Sequence, residues 1–231
     1  MTASPIAAMF DRISPKYDAL NHLLSLNIDK VWRRKTAKEV AKHLPTDILD
    51  IATGTADLAI ALAKHNPQAR IVGIDFSEKM LEVGKGKAER QGLGNQIELQ
   101  FGDAASLPFG NCTFDAVTVA FGVRNFEDLG KGLSEISRVL KPGGQVAILE
   151  FSMPEKFPTR QLYRLYFKHF LPAIGRMVSK DRSAYAYLPE SVERFPKPEF
   201  FCKSLVSNGL EIIRLRRLSF GVATIYLAQK P

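Results

Sequence analysis

Two acid-tipped apolar runs constrain this chain more than any other part of it. The first reads Asp47-Ile48-Leu49-Asp50-Ile51-Ala52-Thr53-Gly54-Thr55-Ala56-Asp57 and the second Ile71-Val72-Gly73-Ile74-Asp75. Both have the pattern of buried strands that finish in small or acidic residues. Leu58 to Lys64, between them, is rich in Ala and Leu, with no breaker before Asn66-Pro67. Strand, tight turn, helix and second strand in that order predict a βαβ unit. Such a unit sets a Gly-containing turn and a helix N-terminus at the carboxyl end of the first strand. It also sets an acid at the end of the second strand, about 20 residues on, where a carboxylate accepts hydrogen bonds from ribose hydroxyls. A nucleoside-containing cofactor is the first expectation.

The scarcity of glycine narrows the cofactor. A dinucleotide site normally shows G-x-G-x-x-G, because glycines let the backbone approach a pyrophosphate at the positive end of the helix. Here Gly54 alone is a glycine, in the pattern Asp50-x-Ala52-x-Gly54-x-Ala56. An acid ahead of the turn is a poor neighbour for phosphate and a good one for a cation. S-adenosylmethionine carries a sulfonium and an ammonium group and no phosphate, so it suits both features. A dinucleotide site and a βαβ unit without a ligand are the alternatives.

With 231 residues, the chain is long enough for one α/β domain with embellishments. Hydrophobic residues make up 45% and charged residues 24%, and no run approaches the roughly 18 apolar residues that span a bilayer. Met1 to Ser14 shows no basic segment followed by an apolar one, so a cytoplasmic location is expected. Cys112 and Cys202 stand far apart and outside metal-ligand spacing, which predicts small apolar residues, no disulfide and no metal site. The net charge of +8 suits an anionic partner, either nucleic acid or an anionic membrane, or simply a solvated basic surface.

Along the chain, Ser4 to Phe10 and Lys30 to His43 read as helices. The second carries Val31, Trp32, Ala37, Val40 and Ala41 to an apolar side and its Arg and Lys residues outward. Tyr17 to Ser25 between them is a mixed segment of a kind that caps a site, with His22 expected to be an ordinary helix residue. Ser77 predicts an N-cap for a helix to about Arg90, and Ile97 to Phe101 a third strand ending at Gly102-Asp103-Ala104. Asp103 is thereby placed to bond an adenine amino group. Phe114 to Ala120 predicts strand four, ending at Phe121-Gly122-Val123-Arg124-Asn125 over the reaction centre. A helix over Glu127 to Leu140, a turn at Lys141-Pro142-Gly143-Gly144 and a fifth strand over Gln145 to Phe151 follow. Phe157 to Phe195 is aromatic and basic together and reads as a helical insertion or lid. A helix over Lys197 to Asn208 and a hairpin of Leu210 to Leu218 with Val222 to Gln229 complete the chain.

Strands alternating with helices and finishing in a hairpin resemble the class I S-adenosylmethionine-dependent methyltransferase fold. That fold is α/β, with a seven-stranded, mostly parallel, doubly wound sheet and a C-terminal antiparallel hairpin. Tyr17-Asp18-x-x-Asn21-x-x-Leu24-Ser25 with Trp32, and Arg138-Val139-Leu140-Lys141-Pro142-Gly143-Gly144-x-Val146-x-x-Leu149-Glu150-x-Ser152, resemble the two signature motifs of the ubiquinone and menaquinone biosynthesis C-methyltransferases. Phe121 to Asn125 matches that family's strand-four motif. The resemblance implies one methyltransferase domain over 1–231, with a helical cap at 1–45 and a helical lid or insertion at 155–195. It implies cofactor contacts from Thr55, Asp75, Asp103 and Ala104. Asp50 and Gly54 of the turn, Phe76 and Ala120 complete the candidate cofactor set. Three departures stand out: Ala56 replaces a glycine and adds a methyl group close to the cofactor path; Ala120 replaces a serine and loses its hydrogen bond; Asp29 and Leu20 replace more common residues.

What the resemblance implies about chemistry is methyl transfer from S-adenosylmethionine to a ring carbon of a demethylated isoprenoid quinol, with demethylmenaquinol preferred. A benzoquinol and a phytyl-naphthoquinol are the alternative acceptors, with another small molecule or RNA as the more distant one. Arg124 is the candidate for stabilising the phenolate or orienting a water that takes the proton, against a structural salt bridge as its other reading. Tyr17, Asp18 and Asn21 are candidates to close over the ring. The 157–187 segment is expected to line a groove for the tail and to touch an anionic membrane peripherally, or else to form a homodimer interface or simply pack as an insertion. A nucleic-acid partner is not expected: strand four lacks the Asn-Pro-Pro-Tyr-type element that holds a flipped base's amino group. A nicotinamide-dependent oxidoreductase would need the fuller glycine pattern, and a non-catalytic quinol binder would not need both Asp50 and Asp75.

Overall fold

The computed structural model describes residues 5–165 and 182–231. Seven strands form one sheet in the order β3-β2-β1-β4-β5-β7-β6. They are β1 (Asp47–Ile51), β2 (Arg70–Asp75), β3 (Ile97–Phe101), β4 (Phe114–Ala120), β5 (Leu140–Phe151), β6 (Glu211–Leu218) and β7 (Ala223–Gln229). The first five pair in parallel, and β7 runs antiparallel to both β5 and β6. The expected doubly wound sheet with a terminal hairpin is what forms. Strand order reverses between β1 and β4, and the carboxyl ends of strands at such a switch point open a crevice suited to ligands.

Helices α1 (Pro5–Leu24), α2 (Ile28–Ala41), α3 (Asp57–His65), α4 (Glu78–Arg90), α5 (Leu129–Val139), α6 (Thr159–Leu165), α7 (Arg182–Arg194) and α8 (Pro198–Ser207) cover the sheet. Its two faces bury separate apolar clusters. Ile48, Leu62, Ile71 and Leu149 belong to one, and Leu49, Val117, Ile136 and Phe201 to the other. Ser77 caps α4 as expected, accepting the amide hydrogen of Met80 at 3.2 Å. No helix among the described residues is long and apolar enough to cross a membrane.

Four expectations are corrected. The N-terminal helix does not stop near Phe10: α1 runs unbroken through Ser14-Pro15 and the Tyr17 to Leu24 segment. Pro15 has no amide hydrogen for the Asp11 carbonyl, and the Ser14 hydroxyl bonds that carbonyl instead, at 3.1 Å. On α2 the inward face is Asp29, Trp32, Arg33, Thr36, Ala37, Glu39 and Val40, so Arg33 is buried and Val31 is exposed. Ion pairs of Asp29 with Arg33 and of Glu39 with Arg216 make that charged face tolerable indoors. Lys141 to Gly144 belongs to β5 as a bulge, its register against β4 jumping from Leu140 to Gln145. Gly143, at φ +77, donates to the Lys230 carbonyl at 2.9 Å. Cys112 lies exposed on the turn before β4; it and Cys202 are free thiols.

The expected 155–195 insertion is helical where described, in α6 and α7. Tyr166, Phe167, Lys168, Phe170, Arg176 and Lys180 lie outside the described residues.

Candidate active site

The turn after β1 alternates left-handed and ordinary backbone. Ala52, Gly54 and Ala56 take φ of 52°, 55° and 64°, a conformation that only glycine adopts without cost. The small residues of the Asp50-x-Ala52-x-Gly54-x-Ala56 pattern are therefore the ones that bend the chain into the start of α3. The Ala56 methyl group is fully buried in the core, facing Gly84 of α4. A Cβ on Gly84 would stand 3.2 Å from it, so the glycine of α4 makes its room. Ala52 meets Gly122, where an added Cβ would come within 2.5 Å of the Ala52 methyl, which locks the β4 exit onto the turn.

Two acids define this turn. Asp50 accepts from the hydroxyls of Thr53 at 2.7 Å and Thr118 at 2.6 Å. Asp75 accepts from the backbone amides of Gly54 at 2.8 Å and Ser77 at 2.9 Å. Neither forms an ion pair with a described residue. Burial raises each carboxyl to about 6, against the pull of those hydrogen bonds. A cavity lined by Asp50, Ala52, Gly54, Thr55 and Ala120 opens beside them, with Tyr17, Arg33 and Asp57 on its other wall. Desolvated carboxylates without an ion-pair partner among the described residues, beside a turn with one glycine and with Asp57 at the first position of α3, fit a cationic nucleoside such as S-adenosylmethionine.

Helix α1 lies over this turn and supplies both of its sides. Asp18 accepts from Thr55 at 2.5 Å and from Lys87 of α4 at 2.6 Å, and Asp11 accepts from Ser77 at 2.5 Å. Phe10 packs edge-on against Phe76 at 6.1 Å. His22 is satisfied between Asp29 at 2.8 Å and Asp57 at 3.6 Å. Asp18, His22 and Asp57 are spaced as metal ligands could be, but the Lys87 ammonium already sits between both carboxylates, 2.5 Å from Asp57.

The other face of α1 builds a second cleft. Met9, Ile13, Tyr17, Leu20, Asn21 and Leu24, at helical spacing, line it together with Phe10, Arg124, Tyr187 and Leu188. It is apolar apart from Tyr17, Asn21, Arg124 and Tyr187. Tyr17 lines both clefts and forms the wall between them. Burial lifts its phenol above the usual range, opposed by Arg124 and Arg33.

Arg124 is fixed by its surroundings. Its Nη1 donates to Glu150 at 2.8 Å and to the Phe121 carbonyl at 2.5 Å, its Nε donates to Ser191 at 3.3 Å, and its guanidinium stacks 5.4 Å over Phe151. Glu150 is wholly buried, and desolvation raises its carboxyl despite the arginine. Both readings of Arg124 thus meet in one side chain: a buried salt bridge holds it, while no described residue accepts from its Nη2 and it still borders the cleft.

Asp103 and Ala104 line neither cleft. Asp103 is exposed at the end of β3, its carboxylate accepting from Ala105 at 2.9 Å. The preceding Gly102 donates to the Asp75 carbonyl at 3.1 Å, which keeps that turn beside the second acid. Sequence reasoning missed Arg33, Thr53, Asp57, Lys87, Glu150 and Tyr187. The spacing of Asp29 and Arg33, four residues apart, was the one available signal that the arginine had a partner on its own helix.

The long motif from Arg138 to Ser152 is mostly scaffold. Arg138 ties down the loop at Leu107, Phe109 and Asn111, Lys141 bonds Asp115 at 2.7 Å, and Ser152 donates to the Gly221 carbonyl at 2.9 Å. Only Glu150 reaches the site.

Residues 2–230 match the ubiE/COQ5 methyltransferase family. A demethylmenaquinone methyltransferase of Bacteroides fragilis is 45% identical over 97% of this chain and 92% of its own. A ubiquinone/menaquinone biosynthesis C-methyltransferase of Geotalea daltonii is 44% identical over 97% and 96%. Among solved structures, an S-adenosylmethionine-dependent methyltransferase from Aquifex aeolicus superposes with a TM-score of 0.61, at 19% identity, over 84% of this chain and 89% of that one.

Proposed function

Because the chain belongs to the ubiE/COQ5 methyltransferase family, we propose that it methylates a ring carbon of a demethylated isoprenoid quinol, with demethylmenaquinol as the acceptor. One observation carries this reading: an apolar cleft whose few polar groups are Tyr17, Asn21, Arg124 and Tyr187 adjoins the acidic turn and shares Tyr17 with it. A ring with two oxygens and a long hydrocarbon tail suits that lining; a nucleic acid does not. The names carried by relatives from Bacteroides fragilis and Geotalea daltonii support the same class of acceptor. A benzoquinol and a phytyl-naphthoquinol remain the alternatives.

S-adenosylmethionine, when bound, supplies an electrophilic methyl group on a sulfonium. Asp75 is assigned to the ribose hydroxyls, with Asp103 and Ala104 beside it for the base. Asp50, Gly54, Thr55 and Ala120 border the rest of the cofactor, and Arg33 faces the same cavity as a counter-ion for a carboxylate. The acceptor carbon gains nucleophilic character when the neighbouring ring oxygen loses its proton, and later gives up its own proton as the ring regains aromaticity. Arg124, with Nη2 uncommitted, stabilises negative charge on that oxygen. Tyr17 keeps its proton at neutral pH, so it serves as donor and positioner. Met9, Ile13, Leu20 and Leu24 exclude water from the reacting carbon. Helix α1 and, from α7, Tyr187 and Leu188 border the acceptor.

Labelled methyl transfer to reduced demethylmenaquinol, a demethylated benzoquinol and RNA, assayed side by side, tests the assignment. Label in the naphthoquinol alone or predominantly is expected, and the oxidised quinone stays inert. Absence of label from both quinols overturns the proposal.

A further inference from the structure

We infer that the elbow between α1 and α2, together with the turn joining β6 to β7, is a docking surface for an anionic lipid bilayer. The inference rests on the quinol reading only for its purpose, since a long-tailed acceptor resides in lipid; the surface stands on its own geometry.

Two turns put bulky apolar side chains where glycine or asparagine belongs. Leu26 has φ of 52° and is 77% exposed; Phe220 has φ of 58° and is 87% exposed. Left-handed backbone at a non-glycine residue carries a steric cost. At the elbow the next residue, Asn27 at φ 60°, is of the ordinary type for such a turn, and the strained leucine beside it gains no burial in return. The two turns are joined, because Trp32 of α2 donates to Ser219 at 3.0 Å, one residue from Phe220. Leu23, Ile28 and Val31, exposed by 40–52%, extend the apolar area around Leu26. Scattered exposed apolar residues need no explanation, but a contiguous group at a strained turn does.

Charge selects the occupant. Lys30, Arg34 and Lys38 are exposed and Lys35 half-exposed on the outer face of α2, and none forms an ion pair with a described residue. Farther along the helix, by contrast, Lys42 is paired with Glu39. Burial first, and then Lys38 and Arg34, push the His65 imidazole below its usual range. An apolar tip beside unpaired cations matches a bilayer whose acyl boundary takes the apolar groups and whose anionic headgroups take the charges. A second copy of this chain would bring the same positive charge against itself. The surface also adjoins the cleft: Leu20, Asn21 and Leu24 line it from the last turns of α1, while Leu23 of the same turns faces outward. A tail anchored in the bilayer therefore reaches the ring site beside the elbow.

Flotation of the full chain with phosphatidylcholine vesicles, with and without phosphatidylglycerol, tests the surface. Binding is expected only to the anionic vesicles, and is lost at high salt. Leu26→Asn with Phe220→Asn should weaken partitioning by roughly a hundredfold, and both asparagines suit left-handed backbone, so the fold is kept. Lys30→Gln with Arg34→Gln should weaken it by about thirtyfold. Leu44→Asn, equally exposed and left-handed but at the far end of α2, should bind as the unaltered chain does. Failure of the unaltered chain to bind, equal binding by the Leu26/Phe220 variant, or loss of a dimer by that variant with unchanged vesicle binding overturns the inference. Methyl transfer to a short-tailed quinol without vesicles is expected to be equal in both proteins. Its absence from both overturns the quinol reading alone, and the flotation result still decides the docking surface.

Discussion

Two groups of buried charge lie within the same crevice and are treated in opposite ways. Around Arg124 every formal charge has a partner: Glu150 holds the guanidinium, with the Phe121 carbonyl and the Phe151 ring completing its shell. At the turn after β1, Asp50 and Asp75 are equally buried but receive only hydroxyl and amide hydrogens. A paired buried charge shapes the protein around it. An unpaired one holds back binding capacity that a ligand can use.

The comparison breaks most visibly if Glu150 is removed. Glu150→Ala leaves Arg124 buried without a counter-ion, and such losses cost about 3–5 kcal/mol. Calorimetric unfolding should show a stability loss of that size. A loss below about 1 kcal/mol would mean that water or other groups compensate Arg124, and the paired half of the comparison would fall.

Asp75→Ala should act on binding instead. Hydrogen bonds to a charged group contribute about 1.5–3 kcal/mol each, so losing the bonds to the ribose should weaken S-adenosylmethionine by roughly a hundredfold or more in titration calorimetry. Unchanged affinity would place the cofactor elsewhere.

Asp50 sharpens the contrast through pH. Its carboxyl titrates near 6 when folded and near 4 when unfolded, so the folded state binds the proton more tightly. Stability is then lost as pH rises from about 4 to about 6, and the full penalty of about 3 kcal/mol applies above that window. Asp50→Asn should therefore stabilise the ligand-free protein by about 2 kcal/mol at pH 8, with the gain vanishing below pH 4. Denaturant titrations at both values check this, and a gain independent of pH would contradict it.

Much of this arrangement was legible beforehand, for identifiable reasons. Ile97–Phe101 was readable as a strand from its alternation of apolar and polar residues, and Phe114–Ala120 from a short, mostly apolar run between breakers. The acids of the turn were readable because the strand ends fix their place. The unbroken α1 was not, since Ser14-Pro15 reads as an end; only the hydrogen bond from Ser14 to Asp11 shows how the helix tolerates the proline. Arg33 was assigned to solvent because a charge on a helix normally faces outward; of its two partners Asp29 stands four residues back on the same helix, while Asp57 stands on another. Glu150 lay within a long motif whose other residues are scaffold, so nothing local marked it as the holder of Arg124.

Tyr17 belongs to both halves of the comparison and offers the smallest test. It borders the acidic turn on one side and Arg124 on the other, and its phenol stays protonated well above neutral pH. If it positions the acceptor by donating, Tyr17→Phe removes one neutral hydrogen bond, of about 1 kcal/mol. The rate should fall about fivefold, with cofactor affinity and the pH–rate profile unchanged. If it were the base, the rate would collapse and the basic limb of the profile would move with it. Only the first result keeps Tyr17 as the wall between a site that binds through unpaired charge and one that is held by paired charge.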